Sequence, residues 1–218
     1  MKPINHPKSL SKIAYSTLLK SILDGHLKPG HLYNEIAIAK ELNISRTPVR
    51  EALLELTTKG LVSYLPRKGV QIKKFTKQDV EEIFDLRMAI ESFAVQKVVE
   101  SSFSDLKHFE KILNNQKKAV KNKDDQAFME ADRTFHITFS KLINNKRLLS
   151  ILENLRDLIH LMGIQALDLE NRAEVVIEEH VKIVEAVQSR DAEKAREAMI
   201  YHLNRSKNAV VSNNLYSH

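Results

Sequence analysis

Four side chains that could bind a metal ion lie on helical stripes in the second half of the sequence. Asp132 and His136 are one helical turn apart, and their stripe also contains Phe128, Phe135, Phe139 and Ile143. His180 and His202 each interrupt another stripe of apolar residues. Residues one turn apart share a helix face, and an apolar face packs against the core. The pattern therefore predicts that a carboxylate and three imidazoles point inward from three helices.

Such a set could meet at one divalent metal ion. Nitrogen-rich sites of this kind suit zinc, nickel or other first-row metals, and the chain has no cysteine for a thiolate site. There is a simpler interpretation for each residue taken singly. A lone histidine on an apolar stripe is commonly a core residue, and an Asp-His pair at this spacing is commonly a hydrogen bond. A metal-free domain that only dimerises therefore stays open as an alternative.

A second group of residues has the chemistry of nucleic-acid recognition. Arg46 and Arg50 are one turn apart at the start of a predicted helix, with Thr47 between them. Arginine can bond guanine edges or clamp phosphate, and threonine can reach a phosphate or a thymine methyl group. Arg67 and Lys68 precede Gly69 in a predicted turn, where they could enter a minor groove or grip the backbone.

The elements around these arginines predict a winged helix-turn-helix. Helices are expected over about 11–24, 34–42 and 47–59, with Asn43 in the left-handed turn and Val49 as a plug between helices. Strands over 61–65 and 69–72 would form a hairpin, the wing. Helix, tight turn and second helix with cations at its start is the layout of a DNA reader.

The rest of the chain reads as long helices with short joints. Only one of the five glycines and none of the prolines lies beyond residue 70. We expect six helices, near 77–101, 104–122, 125–143, 146–170, 172–189 and 191–213. The predicted fold is therefore mainly α, with a winged helix-turn-helix domain over 1–76 and an all-α bundle over 77–218.

Charge is divided between these two parts. Residues 1–78 carry 14 Lys and Arg against 5 Asp and Glu, a net charge of +9, whereas the whole chain carries +6. A basic first domain and a mildly acidic second domain indicate that only the first meets a polyanion such as DNA. We expect no membrane span, because no apolar run approaches ~18 residues. The N-terminus has no apolar signal core, so a cytoplasmic protein is expected.

The front of the chain resembles the GntR family of bacterial transcription regulators. The residues that carry the resemblance are Ser45–Leu53, Lys59–Val62 and the wing sequence Arg67–Val70. In that family, the two arginines, the threonine between them and the wing tip touch operator DNA. The resemblance assigns DNA contact to Arg46, Thr47, Arg50, Lys68 and Gly69, and the added charge of Arg67 extends the wing tip.

Residues 78–213 resemble the FCD ligand-binding domain of FadR-type members of that family. The motifs are Leu86–Glu91, Asp132-x-x-x-His136, Glu179-His180 and Met199-x-x-His202. In metal-using members the aspartate and three histidines bind the ion, and the ion binds a small carboxylate effector. That role falls on Asp132, His136, His180 and His202. Arg87 is a candidate for the effector carboxylate, and an intrahelical pair with Glu91 is its alternative.

The expected function is that of a homodimeric transcription regulator controlled by a small organic acid. Each winged head would read one half of an inverted repeat in double-stranded operator DNA, because a two-fold dimer presents two equivalent heads. The rival class is a His-rich metalloenzyme with an open coordination position. We do not expect an enzyme, because neither an activated nucleophile nor a paired general acid is evident and the winged head would have no role.

Overall fold

The computed structural model describes residues 9–65, 67–101, 106–167 and 169–212. The chain divides into two compact units, Met1–Lys74 and Phe75–His218. The predicted fold class is confirmed, since both units are built mainly of helices and the first also holds a small antiparallel sheet. No helix in these described ranges is long and apolar enough to cross a membrane.

The first unit contains three helices, α1 (Leu10–Leu23), α2 (Glu35–Glu41) and α3 (Arg46–Thr58). Asn34 caps α2, since its side chain accepts a hydrogen bond from the Ile36 backbone. The turn between α2 and α3 passes through Asn43, whose φ of 51° is the left-handed conformation predicted for it. Val49 is fully buried on the inner face of α3, as expected of a plug.

The sheet of this unit has one strand more than the sequence predicted. The hairpin strands are β2 (Val62–Leu65) and β3 (Gly69–Ile72), and β1 (Leu32–Tyr33) pairs with the other edge of β3. All neighbours are antiparallel. A strand of two residues has no alternation to detect, so only its pairing with β3 defines it.

The second unit is a bundle whose described part has six helices. Their ranges are α4 (Lys77–Glu100), α5 (Lys107–Asn122), α6 (Asp125–Leu142), α7 (Lys146–Ala166), α8 (Arg172–Gln188) and α9 (Ala192–Ser212). These agree with the six predicted helices to within a few residues. Residues 104, 105, 168 and 213, which fall within the predicted ranges, lie outside the described residues.

The joints of this bundle are made without glycine. Each of four joints places a single residue in the left-handed conformation, with φ between 52° and 56°: Lys123, Asn144, Asn171 and Arg190. Asparagine tolerates this conformation well, which suits two of the joints. The next helix then begins at once, so that the inward faces of α6, α8 and α9 are brought together over a short length of chain.

Gly69 is the glycine whose replacement the first unit should tolerate least. Its φ is +116°, and a Cβ atom there would lie 2.5 Å from the Tyr33 carbonyl oxygen of β1. Gly69→Ala should therefore open the β1–β3 pairing, at a cost of about 1–3 kcal/mol. Hydrogen exchange of the amides in β1 and β3 is the measurement.

Gly25→Ala is the matched control for this substitution. Gly25 also has a positive φ, +75°, but nothing lies within 4 Å of an added Cβ. Alanine there should cost only about 1 kcal/mol and leave exchange in the sheet unchanged. Equal protection of β3 in the two variants would show that the contact with Tyr33 does not constrain the wing.

Candidate metal centre and nucleic-acid interface

The predicted DNA-reading residues of α3 lie on its exposed face. Arg46, Thr47 and Arg50 are exposed, whereas Val49 is buried. Arg46 Nη2 is 3.6 Å from Glu35 Oε2, but the arginine side chain is 63% exposed, so the pair is a weak surface contact. This face therefore presents two arginines, one turn apart, that remain available to a ligand.

The wing tip presents a second cationic group. Arg67 and Lys68 are both exposed in the turn between β2 and β3, and Arg67 has a left-handed φ of 62°. Gly69 follows at the start of β3, against the backbone of Tyr33. Within the first unit, the described residues thus include cations on α3 and on the hairpin, both of which a phosphate backbone can contact.

In the second unit, the four predicted metal ligands come together. One ligand atom from each of Asp132, His136, His180 and His202 lies within 4.8 Å of all the others. His202 Nε2 is 3.2 Å from His136 Nε2 and 3.3 Å from His180 Nε2. The Asp132 carboxylate oxygens lie 3.8 Å from His136 Nε2 and 3.7 Å from His180 Nε2.

Helix packing holds these rings almost without exposure. His136, His180 and His202 are 5%, 0% and 1% exposed, and only Asp132 is partly open, at 13%. Phe135 stacks on His180 with ring centroids 3.8 Å apart, which fixes the plane of that imidazole. The cluster is therefore buried and rigid on three sides, and its carboxylate lies nearest to solvent.

The other nitrogen of each imidazole faces a hydrogen-bond acceptor. His202 Nδ1 donates to Glu179 Oε2 over 2.7 Å, and His180 Nδ1 donates to the amide oxygen of Gln116 over 3.1 Å. His136 Nδ1 is in contact with Glu91 Oε2, and neither of these atoms has another partner among the described residues. Outer-shell acceptors of this kind set the tautomer and orientation of histidine ligands.

Buried arginines keep both of these glutamates ionised. Burial on its own would raise the pKa of Glu91, but the Arg87 guanidinium and His136 lower that pKa to about 2. Burial likewise opposes the hydrogen bonds from His202 and Arg172 to Glu179, and the pKa of this carboxyl is lowered overall. Arg87 Nε donates to Glu91 over 2.7 Å, and Arg172 makes a two-pronged contact with Glu179 at 3.0 and 3.2 Å.

The consequence is that the three Nε2 atoms have no donor to face. An ionised carboxylate and an amide oxygen accept only, so each Nδ1 carries the proton and each neutral ring turns its Nε2 lone pair inward. Burial lowers the pKa of both His180 and His202, so those two rings are neutral at pH 7. With the carboxylate of Asp132, the center of the cluster consists of acceptors alone.

These distances fit a shared metal ion. Nitrogen ligands about 2.0–2.1 Å from one ion lie about 3.0–3.4 Å apart when their angles at the metal are between 90° and 109°. The observed separations of 3.2 and 3.3 Å fall in this range. The buried cluster could therefore hold a divalent ion, which would replace the repulsion between lone pairs with coordination.

The structure places Arg87 in the pair that the sequence offered as its alternative role. It is 4% exposed and bonded to Glu91 through Nε. No other hydrogen bond of its guanidinium occurs within the described ranges, and its side chain lines a cavity together with Asp132 and His136. Arg87 therefore supports the histidine cluster and still turns polar groups toward the space beside it.

Sequence reasoning missed the residues that orient the cluster. Gln116 and Arg172 were not singled out, and Glu179 was noted only as the neighbour of His180. In the fold, Glu179 instead bonds His202, which is 23 residues away in sequence. Helical spacing reveals which face a residue occupies but not which residue of another helix it meets, so the sequence held no sign of these pairs.

Comparison with known proteins agrees with both halves of this arrangement. Residues 10–72 match the family of bacterial regulatory proteins of the gntR type, and residues 82–205 match the FCD domain. The chain is 34% identical over 192 residues to the uncharacterized HTH-type transcriptional regulator YdhC of Bacillus subtilis, covering 87% of this chain and 86% of that protein.

Two further relatives extend the comparison. The HTH-type transcriptional repressor RspR of Escherichia coli is 26% identical over 208 residues, 95% of this chain and 91% of that protein. A GntR regulator from Rhodococcus sp. RHA1 has the same fold, with a TM-score of 0.79 at 22% identity over 93% of this chain and 97% of that one. The chain is therefore a GntR-family, DNA-binding transcriptional regulator with an FCD domain.

Proposed function

We propose that this regulator senses a small organic acid at a metal ion held by Asp132, His136, His180 and His202. The observation that carries the proposal is the convergence of three Nε2 lone pairs and a carboxylate on one buried point. Such a group of acceptors is unfavourable without a cation. Zinc or nickel suits the ligand set best. A divalent ion bound there would act as a Lewis acid with coordination positions left for a carboxylate.

The effector would bind in the cavity beside this cluster. Asp132, His136 and Arg87 all line it, and it encloses about 410 Å³, including the part open to solvent. That volume is in the range of small-molecule sites. The guanidinium nitrogens of Arg87 that do not bond Glu91 are suited to a carboxylate oxygen. The alternative, a metal-free domain that only dimerises, leaves the facing lone pairs and this cavity without a role.

DNA recognition would rest on residues 1–76, while residues 77–218 would bind the effector and dimerise. Arg46, Thr47 and Arg50 would contact the major groove, and Arg67, Lys68 and Gly69 would contact the backbone or minor groove of the operator. A homodimer would place two heads on the half-sites of an inverted repeat. Effector binding can shift the heads only as far as its affinity differs between their poses.

The helix that follows the first unit also supports the cluster. Thr76 and Asp79 form a reciprocal capping box at the start of α4, and the same helix carries Arg87 and Glu91 further along. A ligand that draws on Arg87 therefore acts on the helix that continues from the DNA-binding unit. This covalent route is the simplest path by which occupancy of the cavity could reach the operator.

Replacing Arg50 tests the assignment of the DNA-reading face. Arg50→Ala should weaken operator binding by about 1–3 kcal/mol, because it removes one cationic fork from the exposed face of α3. Fluorescence anisotropy on the intergenic DNA upstream of the gene is the measurement. Arg147→Ala, which removes an exposed arginine from α7, is the control and should change little. Equal affinities for the two variants would refute the role of Arg50.

Metal binding is tested by titration of chelator-treated protein with Zn(II) and Ni(II) against a chromophoric competitor. The wild-type protein should bind one equivalent per chain, and His202→Ala should abolish this binding. Glu179→Gln should weaken it about 10- to 100-fold, because it removes the ionised acceptor that orients His202. Glu178→Gln changes an exposed neighbour on α8 and should have no effect. Protein that binds neither ion stoichiometrically would exclude the metal site.

Acidification should destabilise the metal-free protein more than the loaded protein. Burial lowers the pKa of His180 and His202 below the ordinary 6.5, so the unfolded chain takes up protons that the folded chain does not. The stability that depends on these residues is complete above pH 6.5 and is lost as the pH falls below it. Thermal midpoints measured from pH 7.5 to 5.5, with EDTA or with Zn(II), should diverge. Parallel curves would argue against coordination by these rings.

A further inference from the structure

Two polar atoms beside the histidine cluster are buried without a partner. They are Nε of Arg133 on α6 and Nε2 of His160 on α7, and neither has a hydrogen bond among the described residues. Both side chains line the cavity that Asp132 and His136 also line. Native proteins rarely leave such atoms unpaired unless a ligand or water completes them. A second recognition point therefore exists in the cavity, separate from the proposed metal ligands.

The remaining wall of the cavity is apolar. Met129, Ile137 and Leu152 are buried, with 5%, 6% and 4% exposure, and Ile159 completes this part of the lining. These side chains offer no hydrogen bonds to a ligand. A molecule that fills the space would place aliphatic carbon against them, and its polar groups would face either the histidine cluster or the Arg133–His160 pair.

The local charges disfavour a second carboxylate at that pair. Arg133 is already bonded to Glu130, over 2.9 Å between Nη1 and Oε1. Burial lowers the pKa of His160, although the nearby Asp157, Glu130 and Asp132 carboxylates act to raise it, and Arg156 acts to lower it. The imidazole is thus neutral at pH 7, and three carboxylates surround it. A neutral hydroxyl can accept from Arg133 Nε and donate to His160 Nε2 without adding negative charge.

We infer that the effector is a hydroxylated monocarboxylic acid, and that Arg133 and His160 select it by hydrogen bonding to its hydroxyl group. This inference rests on the proposed function, since the carboxylate would bind at the metal. It adds a specificity site on α6 and α7 that discriminates among organic acids. Selection by hydrogen bonding is effective because a ligand lacking the hydroxyl leaves both nitrogens buried and unpaired.

The test is calorimetric titration of the Zn(II)-loaded full-length protein with matched acids of three to six carbons. At each length, the unsubstituted acid, the ω-hydroxy acid and the dicarboxylic acid are compared. At one or more lengths the hydroxy acid should bind at least about tenfold more tightly than both others. Should it have no advantage at any length, or should the dicarboxylic acid bind best, the inference is wrong.

Variants locate the advantage on the two residues. His160→Phe and Arg133→Met should each remove the preference for the hydroxy acid while leaving the affinity for the unsubstituted acid within about threefold. Arg196→Met is the control, because Arg196 is paired with Glu193 at the same spacing as Arg133 with Glu130 but does not line the cavity. A preference that survives both substitutions would overturn the assignment.

The same panel separates this inference from the function on which it rests. Unsubstituted acids that bind only when Zn(II) is present, with no gain from a hydroxyl group, would leave the metal-based sensor intact and refute the hydroxyl site. Loaded protein that binds no member of the panel would refute both. The wild-type comparison decides the matter even if one of the variants does not fold.

Discussion

The second unit depends on two buried arginine–glutamate pairs. Arg87 bonds Glu91, and Arg172 bonds Glu179, each at less than 10% exposure. An unpaired buried carboxylate would take up a proton, and it could then donate to a histidine rather than accept from it. Because the arginines keep the glutamates ionised, the proton stays on Nδ1 of His136 and His202. The inward lone pairs of the cluster are thus set by residues that do not belong to it.

The charge of this buried group favours a particular ligand. The carboxylates of Glu91, Glu179 and Asp132 meet only two guanidinium groups, those of Arg87 and Arg172, so the group carries one negative charge when its imidazoles are neutral. A divalent ion would reverse this to one positive charge, and a monocarboxylate would then bring it to zero. Charge is costly to bury unless it is balanced. Neutrality thus connects the pairing of the arginines to the class of acid that the site would accept.

How much the sequence predicts depends on whether the determinants are local. Gly60, Asn43 and the arginines of α3 act within one turn of the chain, and the winged head could be read from them, although β1 could not, because it exists only through its pairing with β3. In the bundle, periodicity predicts that His136, His180 and His202 point inward. It does not predict that Gln116 meets His180 or that Glu179 meets His202, since those contacts join residues 64 and 23 positions apart.

Arg87 shows why a role assigned from a motif and a role observed in a fold need not exclude each other. Its Nε is committed to Glu91, which is required for the tautomer of His136, while the same guanidinium lines the cavity. A carboxylate that bonds the remaining nitrogens would compete with Glu91 for the charge of Arg87. Ligand binding and the electronic state of His136 would then be coupled through one side chain on α4. In this arrangement the residue that positions the cluster is also the one able to register that the cavity is occupied.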